Sequence, residues 1–280
     1  MELSFPEQPP RDQGQLFRCV LQDNSKNFWA LRNDFHHRSP APISQEQRLT
    51  IVGLEQKLIY STALYIQILE KIRDRKKDIF LYANFQYLMT DLYAILDAYA
   101  FLLNQLASPV SKKGRTFKGA AISFSTADFA SAVTQAPINF IVNKSLLDLM
   151  RMMKILRNAY VHRDCPSYCI TEGGSDIVYQ LLLTGDDRKS FLDKRNDKVR
   201  TFDIADNGAV TQVHLGALST YFYLETISES EFLADVLFKK YGDAKNKNGD
   251  AGLGSILCEP VVSVFNSLKK LIGNPTFRGS

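Results

Sequence analysis

The stretch Ile79 to Leu106, IFLYANFQYLMTDLYAILDAYAFLLNQL, most restricts what this chain can fold into. It has the length of about eight helical turns and no Pro or Gly to break them. A surface helix carries one apolar stripe, but this segment is apolar around most of its circumference. Such a helix has to be wrapped by others, so the pattern predicts the centre of a helical bundle. Within it, Leu88 to Ala107 includes Asp91, Asp97, Asn104 and Gln105. Two ionisable groups and two amides argue for a buried helix and against a membrane span. Ser108-Pro109 stops it.

The rest of the chain can supply the wrapping. Of its 280 residues, 45% are hydrophobic and 23% charged, with a formal net charge of +4. That balance excludes a disordered chain and a polybasic nucleic-acid coat. The four cysteines, Cys19, Cys165, Cys169 and Cys258, are scattered apart from one C-x3-C pair and make no disulfide scaffold. MELSFPEQPPRDQGQ at the N-terminus lacks the apolar core of a signal peptide. A reduced, cytoplasmic setting is the expectation.

Three segments follow from these signals. Residues 1–43 read as irregular, with prolines at both ends and a short helix between Gln15 and Phe35. Residues 44–241 read as the helical domain. Its first helix starts at a capping box, Ser44-Gln45-Glu46-Gln47, and carries Leu54, Leu58, Ala63/Leu64, Ile68 and Ile72 inward. It ends in the charged run Lys71 to Asp78. The 108–137 connection contains SKKGRTFKG, read as basic and mobile, and a short helix begun by Thr126-Ala127-Asp128 and ended by Pro137. A third long helix spans Asn143 to Arg163. A β insert over 168–204 follows, as a hairpin of 168–171 with 177–183 around the turn Glu172-Gly173-Gly174-Ser175. The charged loop DDRKSFLDKRND and a third strand, Lys198 to Ile204, complete it. After the turn Asp206-Asn207-Gly208, Thr211 to Tyr241 returns to helical spacing. Residues 242–280 read as a loop and an amphipathic helix, Ile256 to Ile272, interrupted by Pro260.

Only four histidines occur, His36, His37, His162 and His214, which narrows any search for acid–base chemistry. Along the third helix, at about 100° per residue, Arg151, Lys154, Asn158 and His162 fall within a roughly 80° arc. Arg157 flanks that arc about 60° beyond Lys154. Leu146, Leu149, Met153, Leu156, Ala159 and Tyr160 occupy the other side. A basic stripe at a helix C-terminus is also an ordinary solvated face, favoured by the helix dipole.

Arg157-Asn158-x3-His162 at the end of this helix, after two long antiparallel ones, resembles the HEPN (higher eukaryote and prokaryote nucleotide-binding) superfamily. That motif is Arg, a short spacer and His, often with a polar residue after the Arg. The resemblance covers roughly residues 44–240. It implies a mainly α antiparallel bundle that forms a homodimer, with two motif helices facing across a cleft. It also implies a metal-independent endoribonuclease of toxin or anti-phage defence type, needing no cofactor, with RNA as substrate and an antitoxin or other regulatory protein as partner. Other members are catalytically silent and bind RNA, a nucleotide or a protein.

In that chemistry an imidazole serves as base or acid, and a guanidinium matches phosphate bidentately. Arg157, Asn158 and His162 take the catalytic positions, with Arg151 and Lys154 on RNA phosphates. Asp97, in an apolar part of the preceding helix, needs a partner and can orient Arg157 or His162, or form a structural ion pair.

Rival readings are weaker. Arg32-Asn33-Asp34-Phe35-His36-His37 also spells R-N-x3-H, but no long amphipathic helix precedes it, and it reads as a surface loop. His162, Cys165 and Cys169 offer zinc ligands at an unusual spacing, with no second ligand pair. The glycine pairs at 173–174 and 252–254 fit no phosphate-loop pattern, and nothing resembles a nucleophile elbow.

Overall fold

The computed structural model describes residues 25–37, 44–74, 79–135, 142–162, 172–173, 176–181, 183, 185–194, 203–206 and 211–246. The fold is a mainly α helical bundle with a small antiparallel sheet. Among the described residues the helices are α1 (Lys26–His37), α2 (Gln45–Arg73), α3 (Ile79–Ala107), α4 (Ala127–Gln135), α5 (Lys144–His162), α6 (Gly185–Lys194) and α7 (Leu215–Asn246). The strands are β1 (Glu172–Gly173), β2 (Asp176–Leu181), β3 (Asp203–Asp206) and β4 (Thr211–His214), in the order β1-β2-β4-β3. No described helix is long and apolar enough to cross a membrane.

The central helix is α3, as its composition requires. It packs against α2, α5 and α7, and Leu81, Phe85, Leu88, Met89, Leu92, Ile95, Leu96 and Tyr99 are sealed from solvent. The helix α2 runs antiparallel to it. Lys57 donates to Asp91 and Asn84 to Gln67, and Gln105 near the end of α3 reaches Glu46 at the start of α2. The capping box forms as the sequence predicts: Ser44 Oγ accepts from the Gln47 N–H at 3.1 Å, and Gln47 Oε1 from the Ser44 N–H at 3.0 Å. A buried seam joins α2 to α7, where Tyr65 stacks on Tyr223 at 4.3 Å and Thr62 bonds the Tyr223 hydroxyl at 2.8 Å.

Several sequence expectations are corrected. The Gln15–Phe35 helix is α1, beginning at Lys26, with residues 15–24 outside the described ones. It packs on α7 through buried Phe28 and Leu31. The second R-N-x3-H lies on it, so its surface-loop reading is wrong. The loop DDRKSFLDKRND is largely α6, whose Phe191 is buried. Alternating Thr211-Gln212-Val213-His214 forms β4, paired with β2 (Val178 opposite His214) and β3. The insert therefore extends to 214, past the expected 204. Helix α7 continues beyond the expected 241 to Asn246. Glu172-Gly173, read as turn, pairs as β1 with Asp176-Ile177. The first expected strand (168–171), the turn 207–208 and the 256–272 helix lie outside the described residues.

The 108–126 connection is folded where mobility was expected. Ser108 leaves α3 at φ 43, a C-terminal cap in the left-handed region. Val110 bridges Thr116, and buried Phe117 and Phe124 both pack on Phe129 of α4. These apolar anchors outweigh the Ser, Gly and Lys content that suggested an open loop.

Candidate functional site

The motif helix α5 starts where Asn143 Oδ1 accepts from the Leu146 N–H at 2.7 Å, a side-chain N-cap. It runs beside α3 and α7. Leu146, Leu149, Met153 and Leu156 are buried as predicted, and so are Met150, Met152 and Ile155. The polar arc is thus narrower than the wheel alone suggested. Lys154 is exposed, while Arg151 and Asn158 are half-buried. Arg157 stands about 20° from buried Met150 on the wheel and leans toward α3. His162 is the last residue of α5. Its side chain, with those of Ala159 and Tyr160, lies outside the described residues.

On α3, Tyr93 and Asp97 are one turn apart and share a face. The Arg157 guanidinium carbon sits over the Tyr93 ring, 5.4 Å from its centroid. This is cation–π distance, and it leaves the N–H fork free to donate. Ser123 Oγ donates to Asp97 Oδ1 at 2.7 Å. The Tyr93 hydroxyl bonds Ser125 Oγ at 3.0 Å, and the Ser123 and Ser125 hydroxyls bond each other at 3.0 Å. Tyr93, Ser123, Ser125 and Asp97 therefore form one continuous polar network at the α3–α5 junction.

The Asp97 carboxyl is held above its ordinary value. Burial is the largest cause; the Ser123 hydrogen bond, then the Arg157 and Lys154 charges, pull it partway back. Arg157 makes no direct carboxylate contact among the described residues. The structure thus brings together Asp97, Arg157 and Lys154 from the sequence-predicted set. Arg151 and Asn158 share their helix, and nothing described places His162's ring relative to them.

Three members of the network escaped the sequence reading. Tyr93 was within reach of it, since a Tyr four residues before Asp97 falls on the same helix face. Ser123 and Ser125 gave no local signal; only the path of the connection brings them to α3.

Among the described residues no group of three His, Cys, Asp or Glu side chains is arranged to hold a metal ion. The His162, Cys165 and Cys169 set lies outside them. No protein-family model, no curated protein and no solved structure matches this chain.

Proposed function

We propose that this chain is a metal-independent endoribonuclease of toxin or anti-phage defence type, working as a homodimer on RNA and controlled by a regulatory protein such as an antitoxin. Its site is Arg157, Asn158 and His162, with Arg151 and Lys154 on neighbouring phosphates and Asp97 as a positioning residue. The observation that carries the reading is the state of Arg157. It is a half-buried cation held over Tyr93, near Asp97, with its donors not taken up by a described carboxylate. A cation fixed in place and not neutralised suits an anion that arrives and leaves, such as a phosphodiester.

In the proposed reaction a base removes the proton from a ribose 2′-OH. The oxygen attacks phosphorus, forming the O2′–P bond, while Arg157 offsets charge building on the non-bridging oxygens. The P–O5′ bond breaks and an acid delivers a proton to O5′. The products are a 2′,3′-cyclic phosphate and a 5′-OH. One His162 from each copy supplies base and acid. Asn158, one turn before His162, orients the ring or donates to a phosphate oxygen.

The decisive measurement is cleavage of RNA in EDTA by wild type and by His162→Ala. Cleavage that persists in EDTA and disappears in the variant supports the reading; identical behaviour ends it. RNA binding without cleavage in both selects a catalytically silent binding domain. A monomer in light scattering at the working concentration removes the two-copy site.

A further inference from the structure

Between the end of α3 and the start of α4, residues 108–126 contain Lys112, Lys113, Arg115 and Lys118 and no Asp or Glu. All four cations are exposed, and among the described residues none is paired with a carboxylate. A loose loop would present such charges in no fixed arrangement, but this segment is tightly built. Val110 bridges Thr116, the Ser111 N–H donates to the Arg115 carbonyl at 2.8 Å, and the Gly114 N–H to the Ser111 carbonyl at 2.8 Å. Gly114 has φ +70, a conformation glycine adopts without steric cost. The Arg115 N–H also donates to Ser111 Oγ at 3.1 Å. Phe117, between Arg115 and Lys118, is buried edge-on against Phe129 at 5.3 Å.

The same segment then returns to the candidate site. Ser123, whose hydroxyl holds Asp97, comes five residues after Lys118. Five residues span at most about 18 Å even fully extended. The basic turn is therefore tethered within a few nucleotides' reach of Asp97, Arg157 and Lys154, through a path fixed by Phe117 and Phe124.

We infer that the turn Ser111–Lys118 is a rigid phosphate-binding arm that holds the backbone of single-stranded RNA running away from the Arg157 site. This rests on the RNA-binding part of the reading above. Four exposed cations, none paired among the described residues, and no exposed aromatic on the arm suit sequence-independent backbone contact. An anionic membrane surface is the less favoured ligand. Val110 is the segment's single large exposed apolar residue, 53% exposed, and an interfacial anchor needs a broader apolar face.

The test measures binding of the full chain to a short 2′-O-methyl single-stranded RNA, which cannot be cleaved by 2′-OH attack. Salt is varied from about 50 to 200 mM. The triple variant Lys112→Gln/Lys113→Gln/Arg115→Gln, checked for an unchanged melting curve, should lower the slope of log affinity against log salt by about 2, at about 0.7 per lost single-strand contact. The matching triple Lys26→Gln/Lys71→Gln/Lys239→Gln should leave it unchanged. An unchanged slope in the arm variant, or an equal loss in the second triple, overturns the inference. Binding to phosphatidylserine vesicles but not to RNA overturns it too. Because the probe resists cleavage, a wild type that binds through the arm but cuts no RNA removes the nuclease reading and leaves the arm standing.

Discussion

The six letters R-N-x3-H occur twice in this molecule, on α1 and on α5, and the two copies sit in opposite electrostatic states. Both arginines lie over an aromatic ring, Arg32 over Trp29 at 5.1 Å and Arg157 over Tyr93 at 5.4 Å. Arg32 also donates through Nε directly to the carboxylate of Glu55, itself only 4% exposed. That charge is used up in holding α1 to α2. The acid nearest in kind to Glu55 on the α5 side is Asp97, but its contact is with the Ser123 hydroxyl, and burial favours its neutral form. Among the described residues the Arg157 charge is therefore not offset by a direct carboxylate contact, and Lys154 and Arg151 on the same helix add to the positive potential. A motif's letters do not decide whether its cation is structural or available; the acid that meets it does.

That contrast can be broken or sharpened by experiment. The largest effect is expected in catalysis: Arg157→Ala should lower RNA cleavage by about 10²–10³-fold, while Asn33→Ala and His37→Ala leave it within about twofold of wild type. Loss of cleavage in the α1 variants would reverse the assignment of the two motifs. In stability the order should invert. Arg32→Ala takes a direct charge partner from a buried carboxylate and should cost about 2–3 kcal/mol in denaturant unfolding. Arg157→Ala should cost about 1 kcal/mol, mainly the lost ring contact. Equal costs would mean that Arg157 is a structural pair after all.

A smaller effect should come from Asp97→Asn, which keeps the shape and the Ser123 contact but removes the ionisable group. Cleavage should fall about tenfold, with the pH–rate profile altered and the melting curve little changed. A cleavage rate and pH profile like those of wild type would dismiss Asp97 as a positioning residue.

A separate effect concerns how the two motif helices are held at their N-termini, because each is touched by a glutamate of α7. Glu231 accepts from the N–H groups of Asn27 and Phe28 at the start of α1, and Glu229 bonds Asn143, the N-cap of α5. Burial, the largest cause, pushes both carboxyls up to about 7 from 4.5. A raised native value means that between about 4.5 and 7 the folded chain binds protons that the unfolded chain has released. These two groups therefore make stability fall as pH rises through that window, with no further change above it. The double variant Glu229→Gln/Glu231→Gln should flatten this component. The wild-type-minus-variant difference in unfolding free energy should shrink steadily from pH 5 to pH 7 and then level off. A difference that grows with pH would show that the N–H donors outweigh burial.

Much of the bundle was legible because it rests on local periodicity. An all-round apolar helix that carries Asp91, Asp97, Asn104 and Gln105 belongs at the centre of a bundle, and the capping box, Ser108-Pro109 and Asn143 mark ends that depend only on adjacent backbone. The errors fell where local signals conflict. The short segment 211–214 alternates like a strand but adjoins a long helical pattern, and only its pairing with β2 and β3 settles it. The sequence DDRKSFLDK is charged enough to read as a loop, yet one buried Phe191 fastens it as a helix. The 108–126 connection has a loop's composition and is ordered by two phenylalanines whose partner lies on the next helix.

The candidate site divides the same way. Sequence by itself determined that Arg151, Lys154 and Asn158 share a helix face beside Arg157, and the same spacing puts Tyr93 on the face of Asp97, although nothing in the sequence singled Tyr93 out. Helical spacing is a short-range rule and needs no knowledge of neighbours. Only the tertiary structure decided that Arg32 meets a carboxylate while Arg157 meets none among the described residues, and that Ser123, from a distant connection and bonded to Ser125, holds Asp97. Those outcomes depend on packing between elements far apart in the chain, where a residue's charge is set by what is brought against it.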